Sequence, residues 1–483
     1  MASLSVGTAG IGGVDMSDTK RRIVVIGGGP GGYVAAIRAA QMGSAVTLIE
    51  RERIGGTCVN IGCISTKCLL HSAELLETMR KEGPAVGIKA DNLSVDFGQV
   101  MNHKNDIAKK MGDSIRSLLA SYGIDIVEGA AAFTGPGKLA LKKVDGTTER
   151  MKGDAFIIAT GSINDVPPIP GLKESPYCLD STGALALTEL PSSMIVIGGG
   201  VIGMELACAY AAFGTQVDVV EAAEQVLPML DSDITDIAVK NMEKIGVRFH
   251  VASPVQSIEG NRVCCKRADG TELTLQADKI LVATGRKANT ADLDLDACGI
   301  KHIRGQIIVT DSMETNIFNV YAIGDCVFDK VRLAHTASAM GEVAAETACG
   351  HRVYYNETTN PTCVYVAPEA AVVGLTEKDA KAQGIEYLVG TFPIMGNGKA
   401  MILNGGEGLV KILTTPKYKK ILGMQIIGPR ATDLISEGAL AIRLEATVDE
   451  LISTIHSHPT VTEAVREAAL DVLNRTIHMP PKK

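Results

Sequence analysis

The 483-residue chain has no tryptophan, and only 4% of it is aromatic. A core without large rings must be built from aliphatic strands and small residues. The chain has the means, with 46% hydrophobic residues and 51 glycines. This composition points to an α/β protein with glycine-rich turns, and the length to about two to four domains. No apolar run is long enough to span a bilayer. There is no basic run, and the formal net charge is −8, which argues against a nucleic-acid partner. The first 19 residues contain neither Lys nor Arg, and so fit neither a secretory signal nor a mitochondrial presequence. They read as a disordered leader on a cytoplasmic protein, with the mitochondrial matrix as the alternative. Eleven irregularly spaced cysteines do not make a secreted disulfide framework.

What is present is a duplicated nucleotide cradle. In "RRIVVIGGGPGGYVAAIRAAQMGSAVTLIE" an apolar strand runs into Gly27, Gly29 and Gly32, then a helix, then a second strand ending at Glu50. The glycines let backbone approach a pyrophosphate, the helix N-terminus faces its charge, and the acid accepts from a ribose hydroxyl. The pattern returns in "SSMIVIGGGVIGMELACAYAAFGTQVDVVE", with Gly198, Gly200, Gly203 and Glu221. The chain therefore reads as holding two dinucleotides. An acid at the end of the second unit's strand, with no Arg in the following "EAAEQVLP", favours NAD over NADP there.

Two "ATG" stretches, at Ala159–Gly161 and Ala283–Gly285, each look like the last strand of a nucleotide unit. "VYAIGDC" ends in Asp325, placed either to hold ribitol hydroxyls or to cap a helix. "GGTCVNIGCISTK" holds Cys58 and Cys63 with four residues between them. No second cysteine pair supplies the remaining ligands of a zinc site, so no metal is expected. "HSHPTVTEAVREAAL" offers His456 and His458 as bases tuned near neutral pH. There, Glu463 either orients His458 or closes a capping box with Thr460. His456 reads as a plain loop histidine.

Taken in order from about residue 23 to about residue 473, these motifs, with "RLAH" and "IIGPRATDLI", resemble the flavin-dependent pyridine nucleotide–disulfide oxidoreductases, and within them the branch that oxidises dihydrolipoamide. The likeness sets aside glutathione-reductase-like relatives, which have basic residues after the second nucleotide strand. It also sets aside mercuric-reductase-like ones, whose C-terminal cysteine pair has no counterpart in "LNRTIHMPPKK". Two features depart from the family: Ser65 and Thr66 replace a proline and a serine beside the cysteines, and "TASAMGE" follows "LAH" where acids are usual.

The resemblance implies two Rossmann-like domains and an α+β C-terminal dimerisation domain. FAD binds through 20–160 and 288–355, NAD through 161–287, and the interface covers 356–483. It implies a redox-active Cys58–Cys63 disulfide. Cys58 is the interchange thiol nearer solvent, and Cys63 lies beside the flavin. Strained bridges of this kind exchange readily. Lys67 pairs with Glu205 near the flavin, although on sequence alone both read as solvated helix charges. His458, oriented by Glu463, serves the disulfide of the other subunit of an obligatory homodimer. Further FAD contacts fall on Thr57, Ala131, Thr160, Gly161, Ser162, Asp325, Arg332, Leu333, Ala334 and His335, and further NAD contacts on Val255 and Gly285. The partners would be lipoyl domains of 2-oxo-acid dehydrogenase complexes or of the glycine cleavage system. The rival readings are another NAD(P)H disulfide reductase on the same chassis and an NAD-sensing protein without turnover.

Overall fold

A computed structural model of the protein describes residues 20–135, 137–404 and 407–480. The expected leader, at 1–19, lies outside the described residues.

The duplicated sequence folds twice into the same unit. Arg22–Ile26 pairs in parallel with Ala45–Glu50 on one side and with Ala155–Ile158 on the other. Ser193–Ile197 pairs in the same way with Gln216–Val220 and Lys279–Val282. These short strands are buried on both faces, which is why they read as unbroken apolar runs. Each first strand feeds a helix, Pro30–Gln41 or Val201–Phe213, whose N-cap is the middle glycine of the motif. Pro30 at the start of the first helix loses no hydrogen bond, since its N–H would be free there in any case.

In one respect the strands following this plan differ from expectation. Neither "ATG" strand closes its sheet. Val320–Ala322 pairs outside Ala155–Ile158, and Cys178–Leu179 pairs outside Lys279–Val282. The chain returns after the second unit to add a strand to the first, and this return brings Asp325 back to the first cradle. The crossing between the units is a two-stranded ribbon, Ser162–Asn164 against Arg286–Ala288.

The C-terminal part is a five-stranded antiparallel sheet of Thr362–Val364, Ala370–Gly374, Ile421–Ile427, Leu409–Thr414 and Leu388–Pro393. Helices Ala431–Arg443 and Glu463–Val472 share its apolar cluster. Asp471 accepts from the Thr391 N–H at 2.8 Å, fastening the last helix, and with it the histidine loop before it, to the sheet edge. Buried Lys411 reaches Asp233 at 2.6 Å and Glu377 at 2.9 Å. It thereby ties the helix Ser232–Lys244 of the second unit to this sheet.

Candidate active site

The two cradles are constrained in the same way at their outer glycines. Gly27 and Gly198 sit at φ +109° and +110°, a region open to glycine but not to L side chains. A Cβ on Gly32 or Gly203 would run into the carbonyl oxygen of Gly27 or Gly198. The middle glycines are different. A Cβ on Gly29 would meet only the Gly56 Cα, at 3.9 Å, and one on Gly200 nothing within 4 Å. Each cradle is thus open at the one position where a pyrophosphate must approach, which fits FAD at the first and NAD at the second. The acids are held alike. Glu50 accepts from the Gly28 N–H at 2.7 Å and the Glu52 N–H at 2.7 Å. Glu221 accepts from the Gly199 N–H at 2.6 Å and the Ala223 N–H at 2.8 Å.

Cys58 and Cys63 stand on either side of a broken helix. Gly56–Ile61 ends at Gly62 (φ −146°, ψ −120°), and Cys63–Glu77 starts directly after it. A Cβ on Gly62 would lie 2.8 Å from the Thr57 carbonyl oxygen. Along an unbroken helix, residues five apart would not face each other. With the break, the two thiols come close enough to shift each other's acidity. Ser65, the departure noted in the sequence, bonds back to the Asn60 carbonyl at 3.0 Å, and Thr66 to the Gly62 carbonyl at 2.9 Å. Both hydroxyls reinforce the break.

The pair is electrostatically unequal. The neighbouring Cys58 lowers the Cys63 thiol to about 7 against the opposing effect of burial, and the Lys67 cation helps. The neighbouring Cys63 and burial push the Cys58 thiol far up. In the chain alone Cys63 is exposed and Cys58 half-buried. Cys63 opens the second helix at the mouth of the break, on the face against which the resemblance lays a flavin.

Lys67 donates to both oxygens of the buried Glu205 carboxylate, at 2.8 and 2.7 Å, so the two are not independent solvated charges. Tyr365, missed in the sequence, completes the arrangement. Its N–H donates to Glu205 at 3.1 Å and its ring lies 4.4 Å below the Lys67 ammonium.

Asp325 caps no helix. It sits in the short turn Gly324–Cys326 and accepts from the Ser162 hydroxyl at 2.5 Å. Arg286, unnoticed although it follows the second "ATG", donates to Ser162 Oγ at 2.7 Å and Asn164 Oδ1 at 2.6 Å. Arg332 donates to the Arg286 carbonyl. Leu333 caps the helix Ala334–Ala348, and His335 bonds the Pro361 carbonyl at 2.8 Å. Thr160 and Gly161 follow the strand Ala155–Ile158, and Gly285 has open space around it, as does Gly161. Thr57 is exposed on the first short helix. Ala131 lies on the strand Asp125–Gly135 of the first sheet with its side chain in the core, and the Val255 side chain packs on the cluster around Ile258.

His458 Nδ1 lies 3.0 Å from Glu463 Oε1, and the Thr460 N–H donates to the other oxygen at 2.9 Å. One carboxylate therefore meets both His458 and the Thr460 backbone, but the expected capping box does not form: the helix is capped at Thr462, and the Thr460 hydroxyl donates to the Ser457 carbonyl instead. Burial opposes ionisation of Glu463, but the Thr460 N–H and His458 outweigh it and hold the acid below its ordinary range. His456 is not a plain loop histidine. Its side chain is 5% exposed and lies 2.8 Å from Glu437, a partner on another helix that no local signal marks.

The family described as pyridine nucleotide–disulphide oxidoreductase matches residues 21–341, and its dimerisation domain matches residues 360–469. Over 465 residues the chain is 40% identical to a dihydrolipoyl dehydrogenase of Geobacillus stearothermophilus, covering 95% of this chain and 97% of that one. It is 37% identical over 465 residues to the mitochondrial dihydrolipoyl dehydrogenase of Pisum sativum, covering 95% and 92%. Among solved structures, LpdA from Mycobacterium tuberculosis superposes with a TM-score of 0.85 at 28% identity, covering 93% of this chain and 99% of that one. The flavoprotein disulfide reductase RclA from Escherichia coli, as its Cu(II) complex, does so at 0.83 and 29%, with the same coverage. With both of its parts matched across nearly its whole length, the chain belongs to the pyridine nucleotide–disulphide oxidoreductase family.

Proposed function

We propose that the protein oxidises protein-bound dihydrolipoamide and reduces NAD through the Cys58–Cys63 pair. FAD and NAD are the cofactors of the family, and FAD, when bound, takes two electrons from the thiols and passes them on to NAD. The observation that carries the reading is the helix break at Gly62, which brings Cys58 and Cys63 together one turn from Lys67 and its partner Glu205. In the oxidised enzyme a substrate thiolate attacks the Cys58 sulfur, and the Cys58–Cys63 bond breaks. Cys63, the more acidic thiol, is the better leaving group and departs as thiolate. The second substrate thiolate then attacks its own mixed disulfide and releases Cys58. One dithiol is oxidised and one disulfide reduced. A base must take the substrate protons, because only thiolates attack.

His458 suits that task, held by Glu463 and 81% exposed on the C-terminal unit. The dimerisation domain supports a homodimer. Ile455, three residues from His458, is 96% exposed, and Leu440 and Leu444 stand out on the same unit. In this reading a second copy covers them and receives the base. The partners are lipoyl domains of 2-oxo-acid dehydrogenase or glycine cleavage assemblies. No helix of the described residues is long and apolar enough to cross a membrane. The relatives include mitochondrial and bacterial proteins, and we place this one in the cytoplasm, with the matrix as alternative. The test is NADH formation from dihydrolipoamide by the yellow holoprotein. Reduction of other disulfides with no dihydrolipoamide turnover would favour the rival reductase reading.

A further inference from the structure

Resting on the reading of His458 as the base, we infer that Glu437 and His456 form a positioning pair for it, with one carboxylate holding both ends of the loop that carries the base. Glu437 projects from the helix Ala431–Arg443. The loop runs between the helices Val448–Ser453 and Glu463–Val472. Glu437 Oε1 lies 2.8 Å from His456 Nε2, two residues before His458. Glu437 Oε2 accepts from the Thr462 hydroxyl at 2.7 Å, one residue before Glu463. The two members of the dyad thus each sit next to an anchor, and both anchors end on the same side chain.

The geometry is that of a built clamp rather than a surface ion pair. The His456 side chain is 5% exposed, and its Nδ1 faces the Thr454 carbonyl at 3.1 Å. Contacts at both ring nitrogens fix its orientation. Both Glu437 oxygens are engaged. His458 is the opposite case: it is 81% exposed and tethered at one nitrogen, to Glu463. The backbone beneath it must therefore decide where its free Nε2 lies. Within the loop, the Thr460 hydroxyl donates to the Ser457 carbonyl at 2.6 Å and Asn397 donates to the Thr460 carbonyl at 2.9 Å. These bonds shape the turn without fastening it to the helix Ala431–Arg443. That attachment comes from Glu437. A misplacement of about 1 Å in a catalytic group costs on the order of 10²-fold in rate, so loosening this clamp slows proton removal without touching the base.

The experiment is a double-mutant cycle on the full-length holoprotein, with Glu437→Ala, His458→Gln and both together. The readings are kcat and KM for dihydrolipoamide, FAD content and thermal midpoint. If Glu437 acts through the base, Glu437→Ala lowers kcat by about tenfold or more, with KM changed by less than about threefold and FAD retained. In the His458→Gln background the same substitution changes kcat by less than about twofold, because residues acting as one unit are not additive. Glu437→Gln, which keeps the shape and one acceptor, falls between wild type and Ala. With Thr462→Val it replaces the Ala variant in the cycle should that not fold. An equal fold-loss in both backgrounds would overturn the inference, as would wild-type kcat in both Glu437 variants while His458→Gln is crippled. Wild-type turnover by His458→Gln would overturn the base reading itself, and this inference with it.

Discussion

Lys67 holds both oxygens of Glu205, at 2.8 and 2.7 Å, and the ammonium so fixed is among the groups that lower the Cys63 thiol. Reactivity with an alkylating reagent reads this directly. In the reduced protein, iodoacetamide labelling of Cys63 rises with pH through a midpoint near 7, since only the thiolate reacts. Cys58 labels at higher pH than Cys63, because its thiol is pushed up. Lys67→Met removes a cation and leaves Glu205 facing Cys63, so the Cys63 midpoint moves up and labelling at pH 7 falls. Identical titrations of the two cysteines, read by peptide mass spectrometry, would contradict the unequal pair.

The second cradle should choose NAD. Glu221 is pinned by two backbone N–H groups and cannot readily swing away from a 2′-phosphate. Two charges about 4 Å apart in water interact by about 1 kcal/mol, so Glu221→Ala narrows the NAD-to-NADP ratio of kcat/KM by roughly five- to tenfold. Equal efficiency of the wild-type protein with both cofactors would refute the argument.

Gly62 should tolerate no side chain. Gly62→Ala sets a methyl 2.8 Å from the Thr57 carbonyl oxygen, and overpacking of this kind costs about 1–3 kcal/mol. Relieving it means straightening the break that brings the thiols together. A lowered thermal midpoint is expected, together with loss of the difference in acidity between Cys58 and Cys63. A variant with wild-type midpoint and labelling profile would show that the break does not depend on glycine.

How far the sequence could be read depended on distance along the chain. Gly27 to Glu50 and Gly198 to Glu221 are local constellations, and their spacing alone announces strand, cradle, helix and acid. The cysteine pair was legible for the same reason, with Gly62 inside the motif. Asp325 was ambiguous because its partner Ser162 is 163 residues away, joined only when the chain returns to the first sheet. Arg286 was silent for a like reason. His456 passed as a loop residue since Glu437, 19 residues earlier, lies on a separate helix. In the sequence Glu463 points to either backbone or imidazole, yet a carboxylate has two oxygens, and here one reaches His458 and the other the Thr460 N–H.

The central claim is that base and disulfide meet across two subunits, and complementation tests it most directly. His458→Gln alone should depress dihydrolipoamide oxidation by about 10²–10⁴-fold, the usual contribution of a positioned base. Cys58→Ser alone should abolish it. In a purified mixed dimer of one Cys58→Ser subunit and one His458→Gln subunit, both lesions fall in one shared site and the other site is whole. About half of wild-type turnover is then expected by that counting, on the usual two-fold symmetry of such dimers. If base and disulfide belong to one chain, both sites stay broken, and a mixed dimer no more active than its parents would contradict the account.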